Sequence, residues 1–267
     1  MRRLTAVKKY FYLSLEMIKA NIMTAMEYRL SFFIHVFGML LNDIGLILVW
    51  VIFFIRFPAV NGWQFPDLAL LYAVMSISFS VMMIFGGGMR HLAKLIANGE
   101  LDYFLALPKN VLWHVGVSKT EISAIGDLLF GLVIFFFSGN LSIEKFALVI
   151  LAAVCGGAIF LNYVIITQSL SFYFGNFETA ATEFFEAVIG FSLYPQSVYH
   201  GVLKILMLTI IPAFFTITLP VEMVRNFSWP SLLYLIGFYI LTFIIAQLVF
   251  RFGLKRYESG NLISVKL

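Results

Sequence analysis

Leu30–Ile55 reads LSFFIHVFGMLLNDIGLILVWVIFFI, an unbroken apolar block interrupted near its middle by Asn42 and Asp43 and stopped by Arg56 and Pro58. A bilayer's hydrocarbon core is crossed by roughly 20 residues of helix, so this block is long enough to span. It is also too long, and begins too late, for the core of a typical cleavable signal. The rest of the chain has the same character. Of its 267 residues 61% are hydrophobic and 12% charged, and the mean hydropathy is +0.96. Soluble domains carry about twice that share of charge. Lipid must therefore cover much of the surface, and the fold class expected is an all-α polytopic membrane protein forming a single transmembrane domain over residues 1–267.

Further spans are expected at Leu68–Gly88, Ile122–Ser138, Phe146–Tyr173, about Thr179–Tyr194 and Ser231–Phe250. Before the first, Leu4, Val7, Phe11, Leu15, Ile18, Ile22 and Met26 recur at three- and four-residue steps. Lys8, Lys9, Tyr12, Glu16 and Lys19 fall mostly between them, so residues 4–26 are expected to form an amphipathic helix in the membrane interface. With the N-terminus placed in the cytoplasm, a six-span arrangement puts 14 of the 18 lysines and arginines inside. Only Arg56, Lys145, Lys204 and Arg225 fall outside, as the positive-inside rule requires.

Two apolar runs, Phe184–Tyr194 and Val202–Leu219, flank Pro195-Gln196-Ser197. If both crossed, the basic C-terminal tail would lie outside. The charge pattern therefore favours a re-entrant or interfacial hairpin over residues 195–220, bounded and broken by Pro195, Pro212 and Pro220. Non-helical backbone at membrane depth is tolerated where protein or a water-filled cavity surrounds it, which makes the hairpin a candidate outer vestibule.

Catalytic signatures are absent from the sequence. It contains no G-x-x-x-x-G-K-[ST] phosphate loop, no H-E-x-x-H zinc motif and no G-x-S-x-G elbow. Gly116–Thr120 only superficially echoes a phosphate loop. His35, His91, His114 and His200 lack ligand spacing, so no metal site and no catalytic residue is assigned. The basic residues flank apolar blocks, which suits acidic headgroups and gives no reason to invoke nucleic acid. The single Cys155 stands beside Gly156 and Gly157 and reads as small-residue helix packing. Acidic residues in spans cost about 2.5–3.5 kcal/mol at the bilayer centre. Asn42, Asp43 and Asp127 are therefore candidates for polar contacts along a pathway or between helices. Glu178, Glu183 and Glu186 read as the solvated start of a helix, favoured by its dipole.

The loop between the second and third spans, RHLAKLIANGELDYFLALPKNVLWHVGVSK (Arg90–Lys119), is too patterned for a plain linker. One helical run ends at Asn98-Gly99, a second short run carries Leu101, Phe104 and Leu105, and Pro108 stops it. An exposed apolar helix of this kind wants a partner surface.

This loop resembles that of type-2 ATP-binding-cassette transporter permeases, on Gly99, Leu101, Asp102, Leu105, Pro108 and Lys119. The N-terminal amphipathic helix, the six spans, the hairpin after the fifth and the ending RFGLKRYESGN (Arg251–Asn261) extend the likeness over nearly the whole chain. Glu100 stands where the broader family often has Thr, which suggests a divergent bacterial branch. The resemblance implies a permease subunit in the cell membrane with both termini cytoplasmic, and more often an exporter than an importer. It would pair with a second, identical or homologous permease. A separate ATPase would bind ATP and Mg, leaving no cofactor in this chain. Gly99, Glu100, Leu101, Asp102, Phe104, Leu105 and Pro108 would then couple the two, the apolar side chains filling a groove on the ATPase. Two other classes fit an apolar polytopic chain: an ion-coupled secondary transporter, which would favour inverted repeats, and a membrane-embedded enzyme, which needs a reactive cluster at the midplane.

Overall fold

The computed structural model describes residues 2–139 and 141–258, with side chains from residue 8 onward. Leu4 and Val7 of the N-terminal stripe, Lys266, and the last residues of the Arg251–Asn261 motif thus lie outside the described side chains. The described residues are all-helical with no strand. They contain α1 (Arg2–Met26), α2 (Arg29–Arg56), α3 (Phe65–Gly86), α4 (Leu92–Ala97), α5 (Leu101–Leu105), α6 (Val111–Val117), α7 (Ala124–Phe135), α8 (Ile143–Ser169), α9 (Ser171–Phe174) and α10 (Glu178–Ser192). After these come α11 (Val202–Leu208), α12 (Leu219–Arg225) and α13 (Trp229–Leu254).

Among the described residues four helical stretches are long and apolar enough to cross a membrane: Arg29–Arg56, Phe65–Ala97, Ile143–Phe174 and Trp229–Leu254. The expected third and fifth spans are helices of 12 and 15 residues, shorter than the roughly 20 needed for a full crossing. Turns extend α7 at both ends, from Glu121 to Ser138. Leu193 and Pro195 follow directly on α10 and end it.

The bundle is organised around α3 and α8. Their apolar windows are 72% and 61% buried, against 17% each for α2 and α13. Helix α3 packs on α7 and α8, α2 on α7, and α13 on α8. Small residues permit this closeness. A Cβ added at Gly126 would strike the Val36 carbonyl of α2, and one at Gly157 would lie 2.6 Å from the Ser78 carbonyl of α3. Such contacts drive association where lipid removes any hydrophobic incentive, and interhelical hydrogen bonds add to them. Asn162 Nδ2 donates to Thr242 Oγ1 between α8 and α13 (3.3 Å), and Ser80 Oγ donates to the Ala124 carbonyl of α7 (2.8 Å).

Helix α3 begins with a capping box between Gln64 and Asp67 and carries Pro66 in its first turn. Ser142 and Ser228 cap α8 and α13 through their hydroxyls.

The segment after α10 folds as a helical hairpin. Its first arm, α11, exposes Val202, Leu203 and Ile205. Its second arm runs from Ala213 through a π-helical turn (Phe214–Thr218) into α12 and is buried. Pro212 sits at the start of the second arm. Pro220 lies where the wider π turn gives way to α helix, a place where its missing N–H is accommodated. Pro195 follows the end of α10. All three prolines are buried.

The expected stripe on α1 is split. Tyr10, Ser14, Ile18 and Asn21 face the rest of the chain, Asn21 Nδ2 reaching the Val117 carbonyl and Thr120 Oγ1 (both 3.3 Å). Phe11, Leu15 and Met26 of the stripe stay exposed.

Candidate functional site

At the hairpin end of the bundle, the chain between α2 and α3 turns on Asn61 (φ 48°) and Gly62 (φ 79°). The Val60 and Trp63 backbones exchange hydrogen bonds of 2.9 and 2.8 Å across it. Two successive positive φ values make this a type I′ turn, for which Asn-Gly is the favoured pair. The turn places Trp63 beside the outermost aromatic residues of α2, and a cavity of about 720 Å³ opens there. Trp50, Phe53, Trp63, Tyr72, Tyr194 and His200 are among its walls. Trp50 Nε1 donates to Tyr72 Oη (2.9 Å), and the Trp50 and Tyr194 rings meet edge to face at 5.7 Å. Asn61 Nδ2 donates to the Ser197 carbonyl (3.4 Å), tying the turn to the hairpin.

Beside it lies a smaller, more polar cavity of about 200 Å³ lined by Trp63, Ser197, His200, Lys204 and Glu222 among others. Residues from both arms of the hairpin thus meet at one end of the bundle. Arg225 closes this corner. Its Nε is 2.9 Å from Asp67 Oδ1, and its guanidinium lies 4.6 Å over the Trp63 ring. Asp67 therefore caps α3 and fixes the foot of the hairpin at once.

At the opposite end, α3 runs through a 3₁₀ turn (Gly87–His91) into α4. Side chains at Gly87 and Gly88 would collide with the carbonyls of Lys119 and Val115, so the glycine run lets this turn lie directly on the end of α6. The contact is braced by Glu121, whose Oε1 is 3.5 Å from Lys119 Nζ and 3.6 Å from His91 Nε2. The His91 ring, helped by Lys119 and Arg90 and opposed by burial, holds the Glu121 carboxyl down at about 2 from an ordinary 4.5.

A depressed carboxylate stabilises the fold above its ordinary range and loses that effect as pH falls through its folded value. Glu121→Gln is therefore expected to lower the melting temperature at neutral pH by the equivalent of about 1 kcal/mol or less, since its partners are well exposed. The difference from wild type should shrink as pH drops from 4.5 towards 2. Thermal melts in detergent across that range check it; a difference that grows on acidification would contradict the assignment.

Helix α4 is pinned to the end of α8. Gln168 Oε1 accepts from the Ala93 N–H (2.9 Å), and Ser171 Oγ donates to the Ala93 carbonyl (3.2 Å). Gly99 ends this run at φ 74°, the left-handed conformation that suits glycine. Asn98 Nδ2 donates to Glu100 Oε1 (3.0 Å). Asn110 then caps α6 through Trp113 N–H (3.0 Å), and its own N–H reaches Tyr10 Oη of α1 (3.3 Å).

Within α5 the structure revises the reading of the anchors. Leu101 is fully buried and Phe104 nearly so, the latter edge to face with His114 at 5.5 Å. Both belong to the chain's own core, because a five-residue helix clasped between α4 and α6 must turn its apolar side inward. Leu105 (38% exposed) remains on the surface, joined by Tyr103 (66%), which the sequence reading passed over. Glu100, Asp102 and Pro108 are also exposed. The Asp102 carboxylate stands beside Tyr257, whose hydroxyl is pushed up to about 12 by burial and then by that carboxylate.

Asp43 and Asp127 come together. They lie on α2 and α7, both buried, and their carboxyls interact with each other. Asn42 touches Asp43 but is otherwise exposed. The structure thus gathers the sequence-marked residues into a hairpin corner, a loop platform and an acid pair. The aromatic cavity is the feature missed; Trp50, Phe53 and Phe54 clustered at one end of the first span, as at a membrane interface, were its sequence signal. Among the described residues no group of three or more His, Cys, Asp or Glu is placed to hold a metal.

The family model described as "ABC-2 family transporter protein" matches residues 37–260. No curated protein and no solved structure matches the chain significantly.

Proposed function

The chain belongs to the ABC-2 transporter family, and from that premise we propose that it is the permease subunit of an ATP-driven exporter, multi-pass in the cell membrane with both termini cytoplasmic. Its match to a transporter family over most of its length, in a chain without a phosphate loop, is the observation that carries this reading. ATP and Mg are bound by a separate ATPase. The loop platform faces that ATPase in the cytoplasm, and the aromatic cavity and hairpin face outside.

In this arrangement α7 and α10 complete six spans, and residues 195–220 dip into the outer leaflet and return. The common location of Ser197 and Glu222 at one cavity supports that course. Motion of the ATPase enters at the exposed face of α5, Glu100 and Asp102 pairing with basic residues at the rim. It passes through α4 to α3 and α8, to which α4 is bonded or continuous. Those two helices lead to Tyr72 in the cavity wall and to the buried arm of the hairpin. The aromatic walls suit the apolar part of an amphipathic substrate, and the few polar groups at Asn61, Ser197 and His200 suit its head. Helices α2 and α13, largely unburied in the single chain, supply surface for lipid and for a second permease, identical or homologous.

Transport in proteoliposomes should require the co-expressed ATPase; nucleotide-stimulated transport by this subunit alone would refute the reading. In a Cys155→Ser background, single cysteines at Asn61, Ser197 and Arg225 should be labelled in intact cells. One at Asn110 should be labelled only after permeabilisation. Labels at Ser197 and Arg225 on opposite sides would make Val202–Leu219 an ordinary span.

A further inference from the structure

Helices α2 and α7 touch backbone to backbone where Gly126 meets Val36, Met39 and Leu40. Asp127 (3% exposed) directly follows Gly126 on α7, Asp43 (6%) lies about one turn beyond Leu40 on α2, and the two carboxyls interact inside the protein. Each leaves its Oδ2 buried without a hydrogen-bond partner. Among the described residues no lysine, arginine or histidine acts on either carboxyl. Their neighbours are one another, Asn42 on α2 itself, and Tyr72 of α3, which Asp43 influences through space. Helix α1 also packs on α2, and none of its described side chains brings a charge to the pair.

Two bare carboxylates cannot share such a place. A bare charge is costly at membrane depth, and like charges in contact add repulsion that no described cation offsets. A divalent metal is a poor occupant, since hard cations take six or more oxygens and this pocket offers two carboxyls and one amide. A proton needs only the two carboxyls.

We propose that Asp43 and Asp127 form a proton-binding site that fastens α2 to α7, and that loss of the last shared proton releases α2. With the proton in place, one acid donates to the other and the crossing at Gly126 closes. Without it, two carboxylates repel across that crossing and draw water in. Helix α2 also carries Trp50 and Phe53 of the aromatic cavity, so its release changes the width of that cavity. The site is independent of the ATPase and can be tested on the purified full-length chain.

Infrared spectroscopy of the protein in nanodiscs at neutral pH should show a protonated-carboxyl band that weakens in Asp43→Asn and in Asp127→Asn. Spin labels at the exposed Leu41 and Leu129, in a Cys155→Ser background, should move apart as pH is raised from neutral to alkaline. The Asp43→Asn/Asp127→Asn double variant keeps a neutral polar pair, and its label distance should stay short at both pH values. The wild-type spectrum and distances need no variant in the pair, so the test survives a misfolded mutant. Absence of the band at neutral pH, or a wild-type label distance that ignores pH, would overturn the proposal.

Discussion

Alanine at Tyr103 and Leu105 together is expected to strip the permease of its ATPase and of transport while leaving its melting temperature unchanged. Alanine at Leu101 is expected to lose the fold of the loop as well. The contrast follows from burial. Tyr103 and Leu105 project from α5, whereas Leu101 is fully enclosed by α4, α6 and their neighbours. Aromatic and aliphatic anchors carry most of an interface's energy. Removing two should weaken ATPase binding by about 1–3 kcal/mol each on the usual scale of side-chain burial. Leu101→Ala instead opens a cavity in the core, at about 2–5 kcal/mol. Asp102→Asn, a change of charge with little change of shape, should have a smaller and salt-dependent effect on binding. Co-purification of the ATPase and a detergent melt on each variant separate the cases. A Tyr103→Ala/Leu105→Ala protein that binds the ATPase like wild type would remove α5 from the interface.

The same five residues show how far a sequence carries. The glycine stop at Gly99 and the proline stop at Pro108 were readable because each acts through its own backbone. Which apolar side chains point inward was not. Leu101, Phe104 and Leu105 share one face of an ideal helix, and a single turn has too few residues for periodicity to divide core from surface. On α1 the stripe does not tell which residues meet the protein: Ser14 is buried with its hydroxyl bonded back to the Tyr10 carbonyl of the same helix, and Asn21 is held inward by the end of α6. The long spans were legible because lipid imposes length and composition on them. Helices α7 and α10 blurred because they are short. Asp43 and Asp127 stood out singly as costly residues, but 84 positions separate them and only the crossing at Gly126 brings them together. The cavity is harder still, since its walls come from α2, a turn, α3 and the end of α10.

Gly156→Ala should be among the most damaging single-methyl changes in the membrane-embedded part of the protein. Gly156 and Gly157 are consecutive on α8 and both approach Ser78 of α3, but only Gly156 also meets the hairpin. A Cβ at Gly156 would run into the Thr216 carbonyl of the hairpin's buried arm and lie 3.0 Å from Ser78 Oγ. The obstacle is backbone, held in a π turn, so it cannot swing aside as the tip of a side chain can. Overpacking costs about 1–3 kcal/mol even where side chains can adjust, and here α8 and the hairpin must separate. Two other glycines calibrate the result. At Gly86 the new methyl would meet only the end of the Leu161 side chain, which can rotate away, so Gly86→Ala should be milder. At Gly45 nothing lies within 4 Å, and alanine there should be neutral or gain up to about 1 kcal/mol from helix propensity. Melting temperatures of the three purified variants in one detergent should therefore fall in the order Gly45→Ala, Gly86→Ala, Gly156→Ala. Because the arm displaced by Gly156→Ala leads through α12 to Arg225, the same variant should also loosen the Asp67–Arg225 corner and raise labelling of a cysteine at Ser197. A Gly156→Ala protein as stable as the Gly45 variant would mean that α8 and the hairpin are not in backbone contact.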